Sequence, residues 1–143
     1  MNPLAAPYLY GIDEPLDATL VDAFVTALVC VARANGIVES ESRIVQGAAD
    51  ILGAMPFTVS RALANPNASL DEAIATLKPH PRLVSLVYRD SLLVVRADGV
   101  TTAEENVTLT QMANQLGLDM EQRTRAEEAA DLLIKVRQTM IHL

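Results

Sequence analysis

Acidic residues beside two Asx-Gly steps are the first place in this chain where chemistry could sit. Asp98-Gly99 is followed by Thr102, Glu104 and Glu105, and the earlier Asn35-Gly36 by Glu39 and Glu41. Carboxylates gathered at a sharp bend suit a hard divalent cation, calcium or magnesium, which takes oxygen ligands. Asp98, Gly99 and Glu105 have the spacing of the last half of an EF-hand loop, but Val94 and Arg96 stand where the early ligands belong. The pattern is therefore not an EF-hand. The same residues also have a structural reading: Asp98-Gly99 ends one helix, Thr102 caps the next, and Glu105 completes a capping box. Both readings stay open, with Asp98 and Glu105 as metal candidates and Glu41 and Glu104 in support.

Other chemistry has less to stand on. His80 and His142 are far apart, and Cys30, the single cysteine, lies in an apolar stretch and reads as a small core residue. There is no Cys-x-x-Cys, no His-x-x-x-His and no glycine-rich phosphate loop. No enzyme is expected, and no cofactor beyond a divalent cation. Surfaces are the remaining candidates. Leu132, Leu133, Ile134, Val136, Met140, Ile141 and Leu143 near the C-terminus exceed what one core-facing stripe requires. Tyr8, Leu9 and Tyr10 sit in a proline-rich arm. These two surfaces cover either a partner, including a second copy of the chain, or each other. Tyr8, Leu9, Leu132 and Leu143 are the candidate partner-binding residues.

The elements that must position these residues are helices. Half of the 143 residues are hydrophobic, mostly aliphatic, and one domain is expected. Residues 1–16 form an extended arm, and residues 17–143 the helical domain. Asp17 caps a first helix that is apolar around most of its circumference and ends at Asn35-Gly36. A second runs from about Glu39 to Leu52, and a third opens at Pro56 and runs to about Ala64. Ser69 with Glu72 forms a capping box for a fourth, and Pro81 opens a fifth with a stripe of Leu83, Val87, Ser91, Val94 and Val95. The sixth follows Thr102, with a core face of Val107, Leu109, Met112, Ala113 and Leu116. Asp119 with Gln122 opens the seventh, whose inward face is Ala126, Ala130, Leu133 and Val136/Arg137. Sustained period-two alternation is absent, so the fold class is all-α.

The formal charge of −7 argues against nucleic acid, whose phosphates need clustered Lys and Arg. Asp22, Arg89 and Asp90 interrupt the two longest apolar runs, so neither reaches the roughly 18–20 residues of a membrane span. The N-terminus lacks the basic and apolar regions of a signal peptide, and a reducing, cytoplasmic setting is expected.

The two bends repeat. At an offset of 63 residues, Arg33-Ala34, Gly36 and Ile37 align with Arg96-Ala97, Gly99 and Val100, and Glu41 with Glu104. Two helical hairpins should pack with pseudo-twofold symmetry, giving a single-domain bundle of about seven helices. Arg33 and Arg96 each fall in a helix's last turn, where a cation is favoured. Pairing of Arg33 with Glu105, or of Arg96 with Glu41, across the pseudo-twofold is expected.

An apolar helix, Arg96-Ala97-Asp98-Gly99-Val100-Thr101-Thr102-Ala103-Glu104-Glu105, and a close at Asn114-Gln115-Leu116-Gly117-Leu118-Asp119 resemble the TerB-like family. That family includes tellurite-resistance TerB domains and the related N-terminal domain of the DjlA co-chaperone. The resemblance covers roughly residues 20–119. It implies an all-helical, non-enzymatic protein linked to tellurite and other stress, and to protein complexes at the inner face of the membrane. It also implies metal binding through acidic residues near the bends. By position these are Asp98 and Glu105, whereas Asn35 and Ser42 hold the matching places in the first copy.

Overall fold

A computed structural model of the chain describes residues 1–143 except Asn35, Val38, Asp98 and Val100. Among the described residues there are seven α-helices and one π-helical turn, and no strand. The helices are α1 (Ala18–Arg33), α2 (Glu39–Leu52), α3 (Thr58–Ala64), α4 (Leu70–Leu77), α5 (Pro81–Arg96), α6 (Ala103–Leu116) and α7 (Met120–Ile141).

The helices α1 and α5 take the centre. Phe24, Val25, Leu28, Val29 and Val31 of α1 and Val87, Tyr88, Ser91, Val94 and Val95 of α5 are buried, and the two helices pack on each other. For α1 this follows from an apolar circumference, since an all-round hydrophobic helix is stable only when surrounded; α5 buries a broad apolar face and, within it, the charged neighbours Arg89 and Asp90. α2 packs on both α1 and α5, and α6 on both α5 and α1. α3 and α4 cover α1, and α7 covers α5.

The repeat is physical. α1 and α5 are each 16 residues long, and α2 and α6 each 14. Gly36 and Gly99, just past the ends of the central helices, both have φ of +79°, the left-handed turn glycine adopts at no steric cost. The buried positions of α2 are Glu41, Val45, Ala48, Ala49 and Leu52, and those of α6 are Glu105, Leu109, Met112, Ala113 and Leu116. They coincide at an offset of 64, one more than the offset of the central helices. The extra residue lies between Gly99 and α6.

Most helix starts follow the expected chemistry. Asp17 accepts from the Thr19 N–H, and Thr102–Glu105 and Asp119–Gln122 are complete capping boxes. Ser69 accepts from the Glu72 N–H, but the return bond from Glu72 is not made. Three expectations need correction. The arm is not wholly extended: Ala6–Tyr10 wind into the π-helical turn, closed by Gly11 and bonded back to Asn2 through the Ala6 N–H. Pro56 lies in the turn before α3 rather than in its first turn, because Phe57 takes a left-handed conformation at the cap. Val107 is 57% exposed and Val136 is also exposed, so neither belongs to the core face.

Candidate functional site

The second bend is built by its capping box. Glu105 Oε1 accepts from the Thr102 N–H and from Thr102 Oγ1, each at 3.1 Å, and Thr102 Oγ1 accepts from the Glu105 N–H at 3.1 Å. Glu105 is 3% exposed, and its Oε2 has no hydrogen-bond partner among the described residues. Glu41 is equally buried. Each is the third residue of its helix, so Glu41 corresponds to Glu105, and not to Glu104 as the 63-residue offset implied. The first copy therefore keeps a carboxylate where Ser42 was expected to replace one. Glu104 is exposed on α6, and Asp98 lies outside the described residues. Among the described residues, no group of three or more His, Cys, Asp or Glu side chains converges as metal ligands.

The two arginines do different work from the expected pairing. Arg33 donates to the carbonyls of Ala62 and Asn65, at 2.9 and 2.8 Å, and to that of Leu63. It thereby places a cation at the C-terminal end of α3, where exposed carbonyls favour one; those of Ala62 and Asn65 also accept backbone N–H groups. Arg96 pairs with Asp131 of α7 at 2.6 Å.

A polar cluster that the sequence reading passed over sits beneath the arm. Tyr10 Oη donates to Asp90 Oδ2 at 2.5 Å. Arg89 donates to Asp90 Oδ1 through Nε and Nη2, at 3.1 and 2.9 Å, and through Nη1 to the Leu9 carbonyl. The Arg89 guanidinium lies over the Tyr10 ring, 4.6 Å from its centroid, and Tyr10 meets Phe24 edge-on. Burial raises the Asp90 carboxyl above its ordinary range, against the opposing pull of Arg89 and the Tyr10 hydroxyl. Burial, then the Asp90 charge, pushes the Tyr10 phenol well above its usual value. Cys30 is raised by burial, with Arg33 opposing, and its Sγ faces the Ala68 carbonyl at 3.6 Å. The signal for the cluster was present: Arg89-Asp90 are adjacent charges inside an apolar helix, and such charges must be paired. Tyr10 as the third member had no sequence signal.

Above this cluster opens a groove of about 550 Å³. Its walls are the arm at Leu9 and Tyr10, α2, the C-terminal half of α5, and the second half of α7.

The expected partner-binding residues divide. Tyr8 is 85% and Leu143 95% exposed, and Leu132 also faces solvent. Leu9 sits on the rim of the groove, whereas Tyr10 is buried. The arm and the last helix therefore do not cover each other's exposed side chains. Among the described residues, no helix is long and apolar enough to cross a membrane.

No family profile and no curated protein sequence matches the chain. Among solved structures, the chain resembles the crystal structure of a tellurite resistance protein from Nostoc punctiforme. The TM-score is 0.75 over 95% of this chain and 86% of that one, at 17% sequence identity. The resemblance read from the Ala-Asp-Gly bend and the geometry of the two hairpins agree: the chain has the TerB-like helical fold.

Proposed function

We propose that this protein is a non-enzymatic, cytoplasmic interaction module that binds another protein, or a second copy of itself, through the outer face of α7. One observation carries this reading. Leu132, Val136 and Met140, spaced by four residues, form a stripe along one side of α7, Leu143 lies just past the end of the helix, and all four are exposed. Burying a side chain of this kind is worth about 1.5–3 kcal/mol, so the stripe can anchor a helix-to-helix contact. Tyr8, on the arm, is a further exposed aromatic side chain. The name of the structural neighbour supports a link to chemical stress, tellurite among them. The partner can belong to a membrane-associated complex.

The test is mass against concentration by light scattering, with partner capture alongside. The wild-type chain, 15.4 kDa, is expected to rise in mass or to hold a partner. Leu132→Asp and Leu143→Asp are expected to lose that behaviour while keeping the helical spectrum. A wild-type chain that stays monomeric, and holds nothing that these variants release, defeats the reading.

A second reading rests on the buried, unpartnered Oε2 of Glu105 and on the corresponding burial of Glu41. Calcium or magnesium takes six or more oxygens, so a cation at the bends needs Asp98 besides these two carboxylates, and water for the rest. Exposed Glu104 lies outside such a set. Thermal unfolding of metal-stripped protein with millimolar calcium, magnesium or manganese tests it. Ligand at about 100 times its dissociation constant adds roughly 2.7 kcal/mol. That shift should vanish in Asp98→Ala and Glu105→Gln, and its absence in the wild type ends the cation reading.

A further inference from the structure

The groove between α2, α5 and α7 has a composition unlike the rest of the molecule. The chain carries a net charge of −7, yet among the described residues the charged side chains lining the groove are Arg43, Arg89, Arg96, Arg137 and Asp90. Arg89 and Asp90 neutralise each other in the buried cluster. Among the described residues, Arg43 and Arg96 pair with the exposed carboxylates Glu39 and Asp131, and such surface pairs contribute little. Among the described residues, Arg137 has no ion-pair partner. Between these cations the walls are aliphatic: Ile44 and Ile51 from α2, Leu93 from α5, Leu133 and Ile134 from α7.

Gly47 adds an independent observation. It lies in the middle of α2, lines the groove, and has no left-handed φ. A Cβ placed there meets nothing within 4 Å. Neither backbone conformation nor close packing demands glycine, although glycine weakens a helix interior by up to about 1 kcal/mol relative to alanine. Its effect is to leave the α2 wall open.

From this geometry we infer that the groove binds a single-chain amphiphilic anion, a long-chain carboxylate or its like. The aliphatic tail lies along Ile44, Leu93, Leu133 and Ile134, over Gly47. The head reaches the guanidinium of Arg137, with Arg43 and Arg96 at hand. The groove's size suits this occupant: its 550 Å³ falls within the roughly 300–1,000 Å³ of small-molecule sites. Charge decides the head: an acidic protein that gathers arginines around an apolar cleft is complementary to an anion. The face of α7 used here carries Leu133, Ile134 and Arg137, beside the outer stripe and sharing no residue with it, and the ligand is a small molecule, so this inference does not rest on the protein-binding reading.

The experiment is calorimetric titration of the full chain with three probes below their micelle concentrations: dodecanoate, dodecyltrimethylammonium and acetate. Dodecanoate is expected to bind one to one, at least ten-fold more tightly than the cation of the same tail, and acetate to give no heat. Gly47→Leu, which fills the groove, and Arg137→Glu, which reverses the head site, should each weaken dodecanoate at least ten-fold. Circular dichroism confirms that both variants are folded. Equal binding of anion and cation overturns the proposal, as does unchanged affinity in Gly47→Leu, or no binding of dodecanoate. Binding of an acidic amphipathic peptide or an anionic vesicle in place of monomeric dodecanoate also overturns it.

Discussion

Tyr10, Arg89 and Asp90 tie the arm to the central helix, and their energetics are those of a buried pair. Removing one member strands the others away from water, at a cost of a few kcal/mol. Tyr10→Phe deletes the 2.5 Å bond to Asp90 and is expected to lower unfolding free energy by about 1.5–3 kcal/mol, the range for bonds to charged groups. Urea unfolding measures it, and a change within error would mean that the hydroxyl is dispensable. The pH dependence has a definite sign. Asp90 is raised in the folded state, so the native protein holds this proton more tightly than the unfolded chain does. The contribution of Asp90 to stability therefore grows as pH falls toward the ordinary carboxylate value and diminishes as pH rises through its raised value. Stability of the wild type minus that of Asp90→Asn, followed across mildly acidic pH, should decline with rising pH. A rise would refute the assignment.

Helix by helix, the sequence was most legible where local chemistry acts alone. The Thr102 and Asp119 boxes, the Asp17 cap and the left-handed Gly36 and Gly99 are set by residues within a few positions of one another, and spacing reveals them. What depended on distant contacts was hidden. Arg33 was expected to face Glu105 but donates to carbonyls at the end of α3, a helix that no pattern in the sequence places beside it. The inserted residue between Gly99 and α6 disguised the correspondence of Glu41 with Glu105, since an alignment by letters fixes the bend and not the first turn of the helix. At this scale α2 offers a clean test. Gly47→Ala removes the helix-weakening glycine with no steric opposition and is expected to stabilise by up to about 1 kcal/mol, read as a higher thermal midpoint. Destabilisation would show that this wall of the groove is already closed.

Over the whole molecule, the core stops before the chain does. The last fully buried residue is Ala130, and everything after Ile134 is exposed. α7 spans 22 residues, about 33 Å, and its second half overhangs α5 as one wall of the groove. A chain ending at Ile134 is accordingly expected to unfold within about 1 kcal/mol of the full protein while losing the association proposed for Val136, Met140 and Leu143. Comparing denaturation with mass measurements on the two chains separates folding from binding; a truncated chain that fails to fold would place the overhang inside the cooperative unit.

That overhang has an evolutionary meaning. Most substitutions in a core are filtered first by stability, whatever they do to recognition. Beyond Ile134 that filter is nearly absent, so side chains can change freely while the two hairpins remain intact. Chains of this fold can therefore vary that part of α7 without loss of the helical core.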